Sequence, residues 1–141
     1  MDRNQSPPLL AGGDITTSSF VKLSTAADFT ALQAGANEQT IGISQVGPKD
    51  PPGVSGSSAL AASDGLHVQI FGLGDICLLR AGTGGWTRAQ NLKADSSGDG
   101  VPVATTGTTI QYAGAVALES AAAGEYGLVQ VVNMAIRPAL S

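Results

Sequence analysis

Residues 91–137 read NLKADSSGDGVPVATTGTTIQYAGAVALESAAAGEYGLVQVVNMAIR, and the fold class turns on them. A polar, Gly-bearing segment, DSSGDG at 95–100, leads into an apolar strand, AGAVALES at 113–120. The small-residue turn AAAG follows, and then the alternating run LVQVVNMAI at 128–136. Alternation at period two predicts strands at Ala113–Leu118 and Leu128–Ile136. No side chain in these strands is chemically reactive, so the pattern speaks for assembly rather than chemistry.

Working outward, the same grammar recurs. SFVKLS at 19–24 predicts a first strand, with Phe20 and Lys22 on one face and Val21 and Leu23 on the other. AADFTAL at 26–32 fits a second strand or a turn of helix, and TIGISQV at 40–46 alternates again. LHVQIF at 66–71 predicts a strand that turns at Gly72-Leu73-Gly74-Asp75 and pairs back with ICLLR at 76–80 as a hairpin. Gly47–Ser58 holds three prolines and three glycines in twelve residues, which predicts an irregular connection that is exposed or used for contacts. Gly42-Ile43-Ser44 with Val68-Gln69-Ile70 echoes Gly114-Ala115-Val116 with Val129-Gln130-Val131. A true repeat would mean two similar hairpins on opposite sides of one fold; chance likeness between generic strands is the other reading.

The totals bound the rest. A chain of 141 residues predicts one domain with a self-sufficient core. Nineteen glycines and 4% aromatics oppose a helical bundle and suit short strands on tight turns. The expected class is all-β: a small β-barrel or β-sandwich of short antiparallel strands with an extended N-terminal arm. Residues 1–14 form that arm, with Pro7-Pro8 setting polyproline-like geometry, and 15–141 form a single β domain. Leu9 and Leu10 are an apolar pair without an obvious core, either on a disordered tail or on a docking arm. Deleting Met1–Gly13 is expected to leave folding intact and to weaken docking.

Net charge is −4, and the seven Lys and Arg are scattered singly, which opposes nucleic acid as a partner. No apolar run is long enough for a membrane-spanning helix, and the N-terminus lacks the apolar stretch of a secretory signal. One cysteine, Cys77, excludes an internal disulfide and suits a reducing compartment.

Motifs that resemble active centres fail on inspection. Asp95–Gly100 opens like a calcium loop, but the twelfth position is Thr106 where a bidentate Glu is required, so a polar turn is expected. Ser19 and Lys22 have Ser-x-x-Lys spacing, which works on a helix and separates the pair on a strand. Gly72-Leu73-Gly74 lacks the third glycine and the following helix of a dinucleotide loop. A His67–Cys77 dyad across the expected hairpin is conceivable, but a structural His is the simpler reading. The acids sit singly at turns, which they stabilise by bonding their own backbone. Trp86 is the one large aromatic with a polar handle, for the core or for an interface. The expectation is no catalytic residue, no metal, no cofactor and no enzyme.

With these residues in view, the chain resembles the capsid decoration (cement) proteins of tailed bacteriophages. The resemblance is carried by Leu92-Lys93-Ala94-Asp95 with its glycine turn, then Gly114–Ser120, then Ala121-Ala122-Ala123-Gly124-Glu125, and it covers about Ser19 to Val132. The Pro-rich loop 47–58 departs from a minimal version of the pattern. The resemblance implies a homotrimer seated on three-fold positions of an icosahedral head. It implies binding to the major capsid protein on the outer virion surface, after synthesis in the host cytoplasm. It also implies stabilisation of contacts between capsid subunits after expansion. Contact candidates are Pro7, Pro8, Leu9, Leu10, Pro51, Pro52 and Trp86. The alternative is a β-sandwich glycan- or surface-binding module, which would stack sugars on Trp86, Tyr112 and Tyr126.

Overall fold

The structure is a computed structural model, and it describes residues 9–44, 60–62, 65, 67–104, 107 and 109–136. Among these there is no helix, and the chain is all-β as its composition predicts. The strands are β1 Leu9–Ala11, β2 Ile15–Thr16, β3 Phe20–Leu23, β4 Thr30–Gln33, β5 Gly42–Ser44, β6 Leu60–Ala62 and β7 His67–Val68. They continue with β8 Ile70–Phe71, β9 Ile76–Arg80, β10 Asn91–Ala94, β11 Gly100–Pro102, β12 Gln111–Ala117 and β13 Tyr126–Ile136.

A five-stranded antiparallel sheet runs in the order β11-β10-β12-β13-β9. It contains most of residues 91–136. AGAVALES and LVQVVNMAI pair directly, with Ala115 opposite Val131 and Ala117 opposite Val129. Between Ala113 and Ala115 the register shifts by a bulge, which bends the far end of the ladder.

The second sheet has the order β7-β1-β4-β3-β5-β8. Its two edge strands are successive pieces of one stretch of chain, separated only by Gln69. His67–Val68 pairs with β1, while Ile70–Phe71 pairs with β5 at the opposite edge. The sheet therefore curls until its margins meet, and the choice between barrel and sandwich resolves into both: a curled sheet packed on a more open one, whose outer strands touch at the Ala81–Gly100 bridge. β2 and β6 form a short separate ribbon.

Two cores follow from this arrangement. Inside the curl lie Ala11, Ile15, Val21, Ala31 and Val68. Between the sheets lies a wider core that includes Phe20, Ile43, Leu79, Trp86, Leu92 and Val129. β3 serves both, sending Phe20 to the wide core and Val21 into the curl. Alternation along a strand makes that division automatic once both faces are covered. Small residues set the spacing. A Cβ on Gly114 would lie 2.6 Å from the Phe20 ring, and one on Gly127 would lie 3.0 Å from the Trp86 ring. Glycine in these strands makes room for the two large aromatics.

Three expectations are corrected. The hairpin between 66–71 and 76–80 does not form: β8 pairs with β5, and β9 pairs with β13. Alternation reports that a strand exists and not who its partner is. The turn at 72–75 is present, closed by Asp75 N–H to Gly72 O at 3.0 Å, but it carries the chain from one sheet to the other. The arm is described from Leu9 onward, and that part is sheet. β1 sits between β4, parallel, and β7, antiparallel, with Ala11 buried. Its unpaired backbone would otherwise stay open at both edges, and pairing satisfies it. The expected single strand 66–71 is broken at Gln69, where the chain passes from one margin of the curl to the other.

The two echoing units lie in different sheets, each as an antiparallel pair, β5 with β8 and β12 with β13. The region from 26 to 32, left between strand and helix, resolves as a turn followed by β4.

Candidate functional site

Surfaces, rather than a reactive cluster, are what this fold positions. The segment Asp95–Gly100 is a side-chain-capped turn between β10 and β11. Asp95 Oδ1 accepts from Ser97 N–H at 2.8 Å and from Asp99 N–H at 3.0 Å. The turn is also a clasp between sheets: Gly98 O accepts from Phe20 N–H at 2.8 Å, and Ser97 O accepts from the Gln33 side-chain amide. Asp99 is 8% exposed, and its carboxyl lies 3.7 Å from the Arg80 guanidinium. Burial pushes its pKa up, Arg80 partly offsets this, and Asp95 adds to the rise.

The residues that looked like chemistry are held apart. Ser19 is buried, and its hydroxyl bonds Thr16 Oγ1 at 2.6 Å. The Lys22 ammonium instead donates to both Glu38 oxygens, at 2.8 and 2.6 Å. Lys22 and the Gly35 N–H hold the Glu38 carboxyl below its usual range. Cys77 is buried among the wide core, and desolvation with the nearby Asp75 charge pushes its thiol to about 12. Such a thiol stays protonated and is a poor nucleophile. His67 stands on β7 in the curled sheet and Cys77 on β9 in the open one, so they are not cross-strand neighbours. Among the described residues no group of three His, Cys, Asp or Glu is placed to hold a metal ion.

The contact candidates from sequence fall into three groups. Pro7, Pro8, Pro51 and Pro52, with the loop 47–58, lie outside the described residues. Leu9 is half-buried against the inner core, and Leu10 remains exposed on β1. Trp86, open between core and interface from sequence, takes the core place: it is 5% exposed, packed in the wide core, with its indole N–H donating to Glu119 O at 2.7 Å. Gly127 beside it and the Ala121 bridge opposite let the ring sink between the strands, which removes it from the surface.

A different surface stands out in the structure. On the outer face of the five-stranded sheet, register aligns Leu78 with Leu128, and Leu118 N–H bonds Leu128 O at 3.0 Å. Ile76 and Tyr126 flank that row on β9 and β13. These five side chains are each between 41% and 58% exposed. A signal was present: ICLLR is apolar on both faces, which marks a strand covered on both sides.

No protein-family model and no curated protein matches the chain. Among solved structures, the fold is similar to that of the head fiber gp8.5 N base of bacteriophage phi29. The TM-score is 0.60 at 14% sequence identity, over 93% of this chain and 96% of that one. The likeness is one of fold, and it extends through both sheets.

Proposed function

We propose that this chain is a structural protein of a bacteriophage head, a decoration (cement) protein. It docks on the outer surface of the icosahedral shell and reinforces contacts between major capsid protein subunits. Its copies cluster as a homotrimer on the three-fold positions, and it works without catalysis. The observation that carries this reading is the whole-chain fold likeness to a phage head fiber base. It joins a motif resemblance reached independently: the LKAD turn, the GAVALES strand and the AAAGE turn all fall in the five-stranded sheet or its connections. Many copies on one lattice turn modest contacts into large shell stability, because linked sites multiply avidity.

Sugar stacking is disfavoured by the same residues that suggested it. Trp86 is core, Tyr112 is half-buried, and Tyr126 alone offers no platform. The test is to incubate the purified protein with expanded and unexpanded heads and to sediment them. Co-sedimentation with expanded heads is expected, together with greater resistance of those heads to heat. Failure to bind either form sinks the proposal.

A further inference from the structure

The outer face of an antiparallel sheet that meets water is ordinarily polar, alternating with the buried side. Here it is not. Leu78, Leu128 and Leu118 make a continuous apolar row across β9, β13 and the end of β12. Ile76 extends it on one side and Tyr126 on the other. Among the described residues, these are five of the eleven large hydrophobics that stand exposed, gathered on one face. Together they form a patch of roughly several hundred Å², at the upper end for a protein that stays monomeric.

We infer that this face is where a second copy of the chain docks. The composition of the face selects the occupant. Permanent interfaces between copies are the apolar ones, resembling a core cut in half, whereas surfaces that meet later partners are about as polar as the rest of the protein. The patch supplies about half of the roughly 800 Å² that one partner brings to a standard interface, and its polar rim can supply the remainder. The rim is complementary to itself. Arg80, half exposed, stands at the β9 margin, and Glu119, also exposed, stands beyond β13 on the β12 side. A copy whose Arg80 end of this face meets its neighbour's Leu118–Glu119 end brings unlike charges together and continues the leucine row. β12 and β13 keep their own pairing, so docking requires no refolding of the sheet.

This inference rests on the reading that copies associate, and it names the surface they use. The full chain is run in sedimentation equilibrium beside Leu78→Lys and Leu118→Lys, which alter different strands, with circular dichroism to check folding. The wild type is expected as an oligomer, and each substitution is expected to weaken association by about 100-fold, as for a central interface residue. Hydroxyl-radical footprinting of the unaltered protein gives a second readout. Tyr126, Leu78 and Leu128 should lose reactivity several-fold as the protein is concentrated. A wild type that stays monomeric at about 100 μM, well above working interface affinities, overturns self-association and this face with it. An oligomer that survives both substitutions, or whose Tyr126 stays reactive, overturns the face alone. Protection that appears only when phage heads are added gives the face to the shell and also overturns it.

Discussion

The two sheets solve the problem of a glycine-rich, aromatic-poor chain in opposite ways. The open sheet is built from long strands close in sequence, β12 and β13 above all, and it buries the one tryptophan. The curled sheet is built from strands of two to four residues gathered from Leu9 to Phe71, and among the described residues its core holds no aromatic. One sheet depends on a few large contacts, the other on closure. Loss of a single large side chain should therefore wound the first. Loss of a margin should wound the second.

The largest effect should come from breaking closure. Deleting Met1–Gly13 removes β1, the strand that joins β4 to β7, and with it Ala11 from the inner core. The backbone groups of both neighbours lose their partners, at a cost of about 1–3 kcal/mol for each one left buried and unpaired. Several such losses rival the whole stability of a domain. The curled sheet is expected to lose protection in hydrogen exchange, and the truncated chain to melt far below the full one. Deleting only residues 1–8 leaves β1 in place and serves as the control. A 1–13 deletion that melts with the full chain would show that closure contributes little. The same measurement decides the expectation from sequence that residues 1–13 are dispensable for folding.

Next comes the open sheet. Trp86→Ala empties the space between Gly127 and Ala121 and leaves Glu119 O without its donor. Truncating a buried aromatic costs about 3–5 kcal/mol. Chemical denaturation should show that loss, with β13 losing exchange protection before β3. A loss below about 1 kcal/mol would mean that the site collapses around the cavity, which the spread of such measurements allows only for adaptable cores. The strands here are fixed by ladders on both sides of the ring.

This contrast also explains what could be read from sequence. In the open sheet the β12–β13 pair was legible because it is local: AGAVALES and LVQVVNMAI are separated by one small turn, and the ladder follows from alternation, whereas the long-range pairing of β9 with β13 was not. Glu125 closes that turn by accepting from Ala122 N–H at 2.9 Å. The curled sheet was legible as strands but not as topology. Nothing in LHVQIF says that a single residue, Gln69, will divide it between two margins. Nothing in LLA says that it will pair in parallel with TALQ. Partner choice is a long-range property, decided by which faces need covering, and period-two alternation is silent about it. Trp86 was ambiguous for a related reason. A tryptophan between glycine turns suits an interface or a core equally well, until Gly127 and Gly100 are seen to line its cavity from distant strands.

The smallest effect is electrostatic, and it separates the two sheets by sign. Glu38 and Lys22 tie the curled sheet's β3 to the loop before β5. The Glu38 pKa is lowered by the Lys22 hydrogen bond first and the Gly35 N–H second. Folding therefore gains from its ionised form, and that gain is present above the unfolded value, about 4.3, and lost as pH falls through the lower folded one. The pair is partly solvated, so it is worth no more than about 1 kcal/mol, and less in salt. Asp99, on the open sheet, runs the other way. Burial raises its pKa, so the native state holds the proton more tightly than the unfolded chain, whose value is about 3.9. Its contribution is favourable in acid and is lost as pH rises through the folded value. Glu38→Gln should lower the melting temperature by a few degrees at most at pH 7, and the difference should shrink as acid protonates the native carboxyl. Asp99→Asn should raise it at pH 7, lose that advantage on acidification, and spare the turn, because Asp95 and not Asp99 caps it. A lower melting temperature for Asp99→Asn at pH 7 would mean that the 3.7 Å contact with Arg80 outweighs the desolvation of the carboxylate. That contact is long, and the guanidinium is half exposed, so solvent screens the attraction while burial keeps its full cost.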